Sequence, residues 1–461
     1  MKKIIYNIIV LSFLFTIVSC DDNDLEPTLS VNKDLSSISS VEDLRLVMSG
    51  VYNRMTDYTY YGRDLLVFGD VRSDNAYSNG KSGRFVTVAA MDMVNSDLYP
   101  RDTFTQIYRV IASCNIVANS TITGNTPEDK AQIDFYKGQA LAVRALAHYD
   151  LLRIFGQQHV GTGGLNALAI PYTTVFRDTN LTPTRNTVGE VKGFILADLN
   201  AALALMDADL NTTKETITTS AVNAIKARVA LYFEEWQIAK DASRAAINSS
   251  GARIATKTEF AGTYATTLPV NSIFELASRS DDNQGNNSLY FIYAETVYGD
   301  ITVLKNLKDQ YSATDVRGSV IGTDSKGKLR NLGKFVSLSS NVPVIRFEEM
   351  VLINAEASFM LNNSDPSVLT SMNSIASNRG ADLYTTVSRA DILKERRKEL
   401  AFEGFRFDDL ARTKSDMPIV DAILQTYDEK GAISYGSYRY AFPIPLSETN
   451  ANANFIQNVG Y

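Results

Sequence analysis

Apolar side chains recur three and four positions apart over most of this 461-residue chain, the spacing that builds one face of an α-helix. The pattern predicts helices over 41–55, 102–119 and 131–155. The last is long and alanine-rich, and Gly156 follows it in the place of a C′ glycine. Thr187 and Glu190 make a capping-box pair for a helix running towards Met206. The stretches 220–232 and 235–248 predict an antiparallel pair. Ala224, Ala227, Ala230, Ala239, Ala242 and Ala246 would let its two backbones approach closely. This is the large–small alternation of tetratricopeptide-type pairs, but no such period runs along the chain. The fold class is therefore mainly α, built from degenerate tetratricopeptide-like helix pairs with long loops and a few short strands.

Between the helices lie polar, aromatic-dotted stretches at 56–100, 156–186, 251–345 and 411–461. Loops of such length are functional or carry strands of their own, and 272–277 and 334–337 have strand character. The helices read as scaffold and the loops as working surface.

The first residues carry an address. Lys2 and Lys3 precede a mostly apolar core at 4–18, too short for a bilayer-spanning helix but suited to a secretory leader. It ends in Ile17-Val18-Ser19-Cys20, which resembles a bacterial lipobox and makes Cys20 the lipidation site. Residues 1–19 are then a signal peptide, 20–40 a lipidated tether, and 41–461 one domain with a helical 41–250 part and a 251–461 part. Asp21-Asp22-Asn23-Asp24 resembles the surface-export signals of Bacteroidetes lipoproteins, so the body is expected at the outer membrane, facing outward. Cys114, inside a helical pattern, reads as a small core residue.

Composition removes several chemistries. A net charge of −7 gives no electrostatic reason to bind nucleic acid. Two histidines and two cysteines exclude a Cys/His zinc cluster, a c-type haem and a disulfide scaffold. His148 sits inside the alanine-rich helix as a core residue, and His159 has no partner for a metal. The run from Asn75 to Ser82 mimics the end of a P-loop without its first glycine. Asp281-Asp282-Asn283-Gln284-Gly285 lacks EF-hand spacing. No metal, cofactor or catalytic residue is assigned. A glycosidase needs only two carboxylates, which 52 acidic residues supply by chance, so a surface hydrolase remains an alternative.

The densest charge run, 391–406, stacks Glu395, Glu399 and Glu403 at four-residue spacing, where they repel if left alone. Arg396, Arg397 and Arg406 are near enough in sequence to offset them. Ile392, Leu393, Leu400, Phe402 and Phe405 are available to bury the other side. The expectation is a structural ion network.

An ordered set of motifs then identifies a family. After the lipobox come Gly69-Asp70-Val71-Arg72-Ser73-Asp74, Arg144-Ala145-Leu146-Ala147-His148-Tyr149-Asp150-Leu151 with Ile154-Phe155-Gly156, and the run from Arg346 to Ala357. The run from Glu395 to Leu410 follows, then Phe442-Pro443-Ile444-Pro445 and Gln457-Asn458-Val459-Gly460-Tyr461. Together they resemble the SusD/RagB family of outer-membrane nutrient-capture lipoproteins. The resemblance implies four tetratricopeptide-like pairs under a loop-rich face. It also implies a SusC-like TonB-dependent transporter as partner, an oligosaccharide (or, in some members, a peptide) as ligand, and no covalent chemistry. Family sites lie on loops matching the stretch after Gly-Asp-Val-Arg and the stretch ahead of Asp315-Val316-Arg317. Here those contain Asp74, Asn75, Tyr77 and Arg84, then Asn286, Asn287, Tyr290, Tyr293 and Tyr298. Glycan binders of this family often carry Trp in these loops. The only tryptophan here, Trp236, sits at the turn of the alanine-rich pair, so stacking falls to Tyr or Phe.

The lipobox reading is tested by metabolic labelling with a fatty-acid probe. The wild-type chain is expected to take up label and sediment with membranes, and Cys20→Ala to lose both.

Overall fold

The protein is described from a computed structural model, which covers residues 38–294, 298–425 and 432–461; the leader and Cys20 lie outside these. The longer helices are α1 (Val41–Met55), α2 (Asp64–Val71), α3 (Leu98–Ala118), α4 (Pro127–Phe155), α5 (Val188–Leu205), α6 (Thr219–Tyr232) and α7 (Trp236–Ser249). They continue with α8 (Phe347–Leu361), α9 (Pro366–Arg379), α10 (Arg389–Glu399) and α11 (Arg406–Arg412). Capping boxes open four of them: Ser40 with Asp43, Thr126 with Asp129, Thr187 with Glu190, and Ser388 with Asp391. Each satisfies two backbone donors that the first helical turn otherwise leaves unpaired.

Neighbouring helices pack in sequence: α1 on α3, α3 on α4, α4 on α5, α6 on α7, α7 on α8, and α8 on α9 and α10. The six alanines of the α6–α7 pair are all buried, as their spacing predicts. One apolar cluster joins residues from Leu44 near the start to Phe455 near the end, so both halves share a core. Trp236 packs half-buried on it, with the Arg389 guanidinium 5.4 Å above the ring.

The long stretches contain short antiparallel strand pairs. β1 (Ala76–Ser78) pairs with β3 (Ile301–Val303), β2 (Ser272–Leu276) with β6 (Val342–Arg346), and β4 (Ile321–Thr323) with β5 (Leu329–Asn331). Strand character at 334–337 does not materialise. Phe335 has a left-handed φ of 58°, and Lys334 turns inward to the Glu403 carboxylate, so the strand forms later as β6. Gly156 is also not a left-handed cap: its φ and ψ of −74° and 151° are extended. A glycine is required there because a Cβ would meet Leu152 O at 2.5 Å and Gln158 Oε1 at 2.3 Å.

The charge run folds inward. α10 stops at Glu399, and the chain turns through Phe402 and Gly404, at φ 70° and 82°. Gly404 lies so close to α2 that a Cβ on Gly69 would come within 2.2 Å of its carbonyl oxygen. Glu399, fully buried, receives Arg379 through Nε and Nη2 at 3.0 and 2.8 Å, Arg317 at 3.1 Å and Arg346 at 3.2 Å. Arg346 also grips Glu403 with two hydrogen bonds of 2.8 Å, Arg379 reaches Glu348 at 2.7 Å, and Arg317 reaches Glu395 at 2.6 Å. With Lys334, Lys398 and Asp315, five cations face five carboxylates in the interior.

The network exists, but its partners differ from the near-sequence expectation. Arg396 goes to Asp409, while Arg397 and Arg406 go to Asp74. Arg396 and Arg397 lie one and two residues past Glu395, so they point roughly 100° and 200° around the helix from it. Cations from other elements, joined at Glu395 by Lys398 of α10 itself, therefore cover the glutamates.

Burial raises the Glu399 carboxyl, but Arg379, Arg346 and Arg317 overcome this and hold it well below the ordinary range. Burial opposed by cations likewise leaves Glu395 and Glu403 lowered. Carboxylates lowered on folding stabilise the protein above their unfolded pKa, and that contribution is lost as pH falls. Denaturant titrations are expected to show stability falling steeply below about pH 4.5. At neutral pH Arg379→Met should cost about 3–5 kcal/mol, since it leaves Glu399 and Glu348 buried and short of a partner.

Candidate functional site

α2 runs directly into the Gly-Asp-Val-Arg motif, which sets the position of β1. Arg72 is clamped between rings, its guanidinium 3.6 Å over Phe407 and 4.7 Å over Phe442, and donates to the carbonyls of Arg439 and Tyr440. The buried Asp70 accepts from Asn75 Nδ2 at 3.1 Å, from the Phe402 amide at 3.3 Å and from the Tyr293 hydroxyl at 3.4 Å. One carboxylate thus joins α2, β1, the glycine turn after α10 and the one-turn helix Leu289–Tyr293.

This arrangement takes three of the nine sequence candidates away from solvent. Asp74 is buried and held by Arg406 at 2.6 and 2.9 Å. Asn75 accepts from Arg397 at 2.9 Å. Tyr293 is buried, with its ring against Phe402. Their polar groups are engaged by interior partners. Burial tends to raise Asp74, but hydrogen bonding and attraction from Arg406, with Arg397, leave it lowered.

Tyr77 is buried as well, and the other five lie at or near the surface around β1, β3 and the Leu289–Tyr293 helix. Tyr77, opposite Thr302 in the β1–β3 ladder, forms a wall of a cleft of about 410 Å³ with Arg72, Met91, Met417 and Ile433. Arg84 and Tyr298, both half-buried, meet with the guanidinium 3.6 Å over the ring. The helix that follows Ser288 carries Tyr290, tilted on Phe291 at 5.0 Å. Tyr290 borders a second cleft of about 420 Å³ with Thr56, Asp282, Asn283, Gln284 and Ser340. Asn286 is exposed, and Asn287 accepts from Arg63 at 2.9 Å.

Sequence reasoning missed the groups that shape this face. Asp300, fully buried, accepts from the Ser82 amide at 2.7 Å and the Ser82 hydroxyl at 2.6 Å. Asn79 spans to Gly299 O at 2.8 Å and Thr302 Oγ1 at 2.9 Å. The Asn-Gly-Lys-Ser run was the available signal, as a turn rather than a phosphate cradle. Asp300, over two hundred residues away, gave none.

The remaining candidates have structural partners. Asp282 accepts from Asn53 at 3.2 Å, and Gln284 accepts from the Tyr58 amide at 3.1 Å, which ties the 281–285 loop to α1 and the turn after it. Among the described residues no group of three or more His, Cys, Asp or Glu is placed to hold a metal. His148 is fully buried between the Arg144 carbonyl at 2.9 Å and the Thr173 amide at 3.0 Å, and burial pushes it down to about 3. A third cleft, of about 550 Å³, contains Asp150 and Asp408, but Arg153 binds both, at 2.8 and 2.6 Å.

The chain matches two protein families: the SusD family over residues 335–461, and "Starch-binding associating with outer membrane" over residues 24–231. A SusD-like protein of Formosa agariphila is 28% identical over 158 residues, 34% of this chain; the chain spans only 30% of that relative's length. A SusD superfamily protein from Bacteroides thetaiotaomicron superposes with a TM-score of 0.83 at 24% identity, covering 91% of this chain and 99% of the other. A SusD-like carbohydrate binding protein from Bacteroides vulgatus gives 0.79 at 23% identity, covering 90% and 97%. At these identities the superpositions establish the fold.

Burial pushes the Asp70 carboxyl up to about 7. A group that holds its proton more tightly when folded stabilises fully below its unfolded pKa and loses that contribution as pH rises through the folded value. The wild-type protein should therefore lose stability relative to Asp70→Asn between about pH 4 and pH 7, with no further relative change above. Paired thermal melts across that range check it.

Proposed function

The chain belongs to the SusD/RagB family, and on that premise we propose that it is an outer-membrane lipoprotein that captures an oligosaccharide and passes it to a SusC-like TonB-dependent transporter. Cys20 carries the lipid, and the body faces outward. No helix among the described residues is long and apolar enough to cross a membrane, so in this reading the anchor alone holds the protein there.

The observation that carries the proposal is the loop-built face itself. Arg84, Tyr298, Asn286 and Tyr290 sit at partial or full exposure on segments braced by buried polar contacts to Asp70 and Asp300. A pyranose presents an apolar face to rings and a rim of hydroxyls to amides and guanidinium groups, and this face offers both. The family description as starch-binding supports carbohydrate as the ligand class. Capture that must be followed by release needs only millimolar to micromolar affinity, or about 4–8 kcal/mol. Few rings on an open surface suffice for that.

Calorimetry of the mature protein against a glycan panel is expected to give binding in this range, with no release of shorter products. Tyr290→Ala combined with Asn286→Ala should weaken it about tenfold. Steady product release abolished by replacing one carboxylate indicates a hydrolase instead. Binding only to peptides moves the ligand class, and no binding at all leaves a structural subunit of the transporter.

A further inference from the structure

Arg84 is held unusually still for a half-exposed arginine. Its guanidinium lies 3.6 Å over the Tyr298 ring, and its Nη1 donates to the Ser82 hydroxyl at 2.8 Å. Its backbone carbonyl accepts from the Ser78 hydroxyl at 2.6 Å, at the end of β1. Ser82 is itself anchored twice on buried Asp300. The head group therefore has little rotamer freedom left to lose on binding.

The same guanidinium has no carboxylate of the described residues within ion-pair distance. Asp300, reached only through Ser82, accepts from the Ser82 amide and hydroxyl. Arg63 contacts the Phe85 ring at 5.3 Å and is paired to Asp64 at 2.6 Å, and Arg330 is paired to Asp324 at 2.8 Å. Arg84 thus keeps Nε and Nη2 for a ligand, and a planar fork of two N–H groups fits two oxygens of one oxyanion. The stack also covers one face of Tyr298, which limits that ring as a platform for a neutral sugar.

We propose that Arg84, braced by Tyr298 and Ser82, makes this site selective for glycans that carry an oxyanion, either a uronate carboxylate or a sulfate ester. The proposal rests on the oligosaccharide-capture reading above and narrows its ligand class. Tyr290 and Asn286 would contact the sugar ring, while Arg84 reads the charge.

The test is calorimetry of the mature protein with three soluble probes: an oligogalacturonide, a sulfated galactan oligosaccharide and a neutral malto-oligosaccharide. At least one anionic probe is expected to bind, and which one tells carboxylate from sulfate; the neutral probe should bind at least tenfold more weakly. Arg84→Gln should weaken the anionic complex roughly ten- to a hundredfold, the range for a charge-assisted pair. Arg84→Lys, which keeps the charge but loses the fork, should recover only a small part. Both variants should keep the wild-type melting temperature, since Arg84 lies outside the core, and raising salt should weaken only the anionic complex. Equal or preferential binding of the neutral probe overturns the selectivity while leaving oligosaccharide capture intact, as does wild-type affinity in Arg84→Gln. Binding of acidic peptides in place of every glycan, or of nothing, overturns both.

Discussion

Glu399 is the charge on which the structure depends. It is fully buried and touches arginines from three separate places: Arg317 beyond β3, Arg346 at the end of β6, and Arg379 at the end of α9. A carboxylate removed from water without partners is prohibitively costly, and so is each guanidinium. The paired state is therefore acceptable only when all the elements have arrived. The cluster contributes little as a source of net stability, because desolvation consumes most of the attraction. Its effect is to penalise incomplete assembly.

This constraint explains how a chain of degenerate helix pairs can carry long loops on a defined frame. The α6–α7 pair packs through buried alanines, an arrangement that small residues permit over a range of registers. The ion clusters remove that freedom. Arg228 grips Glu349 with two 2.7 Å bonds between α6 and α8, Arg412 does the same to Glu356 between α11 and α8, and Arg144 to Asp198 between α4 and α5. Each bidentate contact fixes an angle as well as a distance. The loops inherit this through Asp70 and Asp74, whose partners lie on α10, the turn after it, the start of α11 and the Leu289–Tyr293 helix. The face bearing Arg84 and Tyr290 is thus held in place by buried polar and charged groups.

The division between frame and face also orders the motifs. Those by which the family is recognised, from Gly69 to Asp74 and from Glu395 to Leu410, are interior. Gly69 and Gly404 are glycines because two backbones cross there with no room for a Cβ. In the reading proposed above, the surface that distinguishes one glycan from another is made by Arg84, Asn286, Tyr290 and Tyr298, outside every recognised motif. On that proposal, scaffold and specificity are written in different parts of the chain.

Helices α1, α3, α4, α5, α6 and α7, the Thr187–Glu190 capping box, the alanine-lined pair and the buried Cys114 and His148 were readable from the residues, because each depends on neighbours within one or two helical turns. The interior fate of the charge run was readable for the same reason. Its partners were not: Arg396 and Arg397 diverge from Glu395 around the helix, and Arg406 lies on α11 beyond the glycine turn, so Glu395, Glu399 and Glu403 were left to Lys398 and to cations arriving from elsewhere. The site followed the same division. Residue type and the family's loops pointed to nine positions, and only the tertiary structure separated Asp74, Asn75 and Tyr293, drawn inside by Arg406, Arg397 and Asp70, and Tyr77, buried in the β1–β3 pair, from the five that remain at or near the surface. Sequence pattern determined which segments fold and which face inward, because periodicity is local. Packing alone decided which polar side chain meets which, because burial and charge pairing are settled between segments hundreds of residues apart.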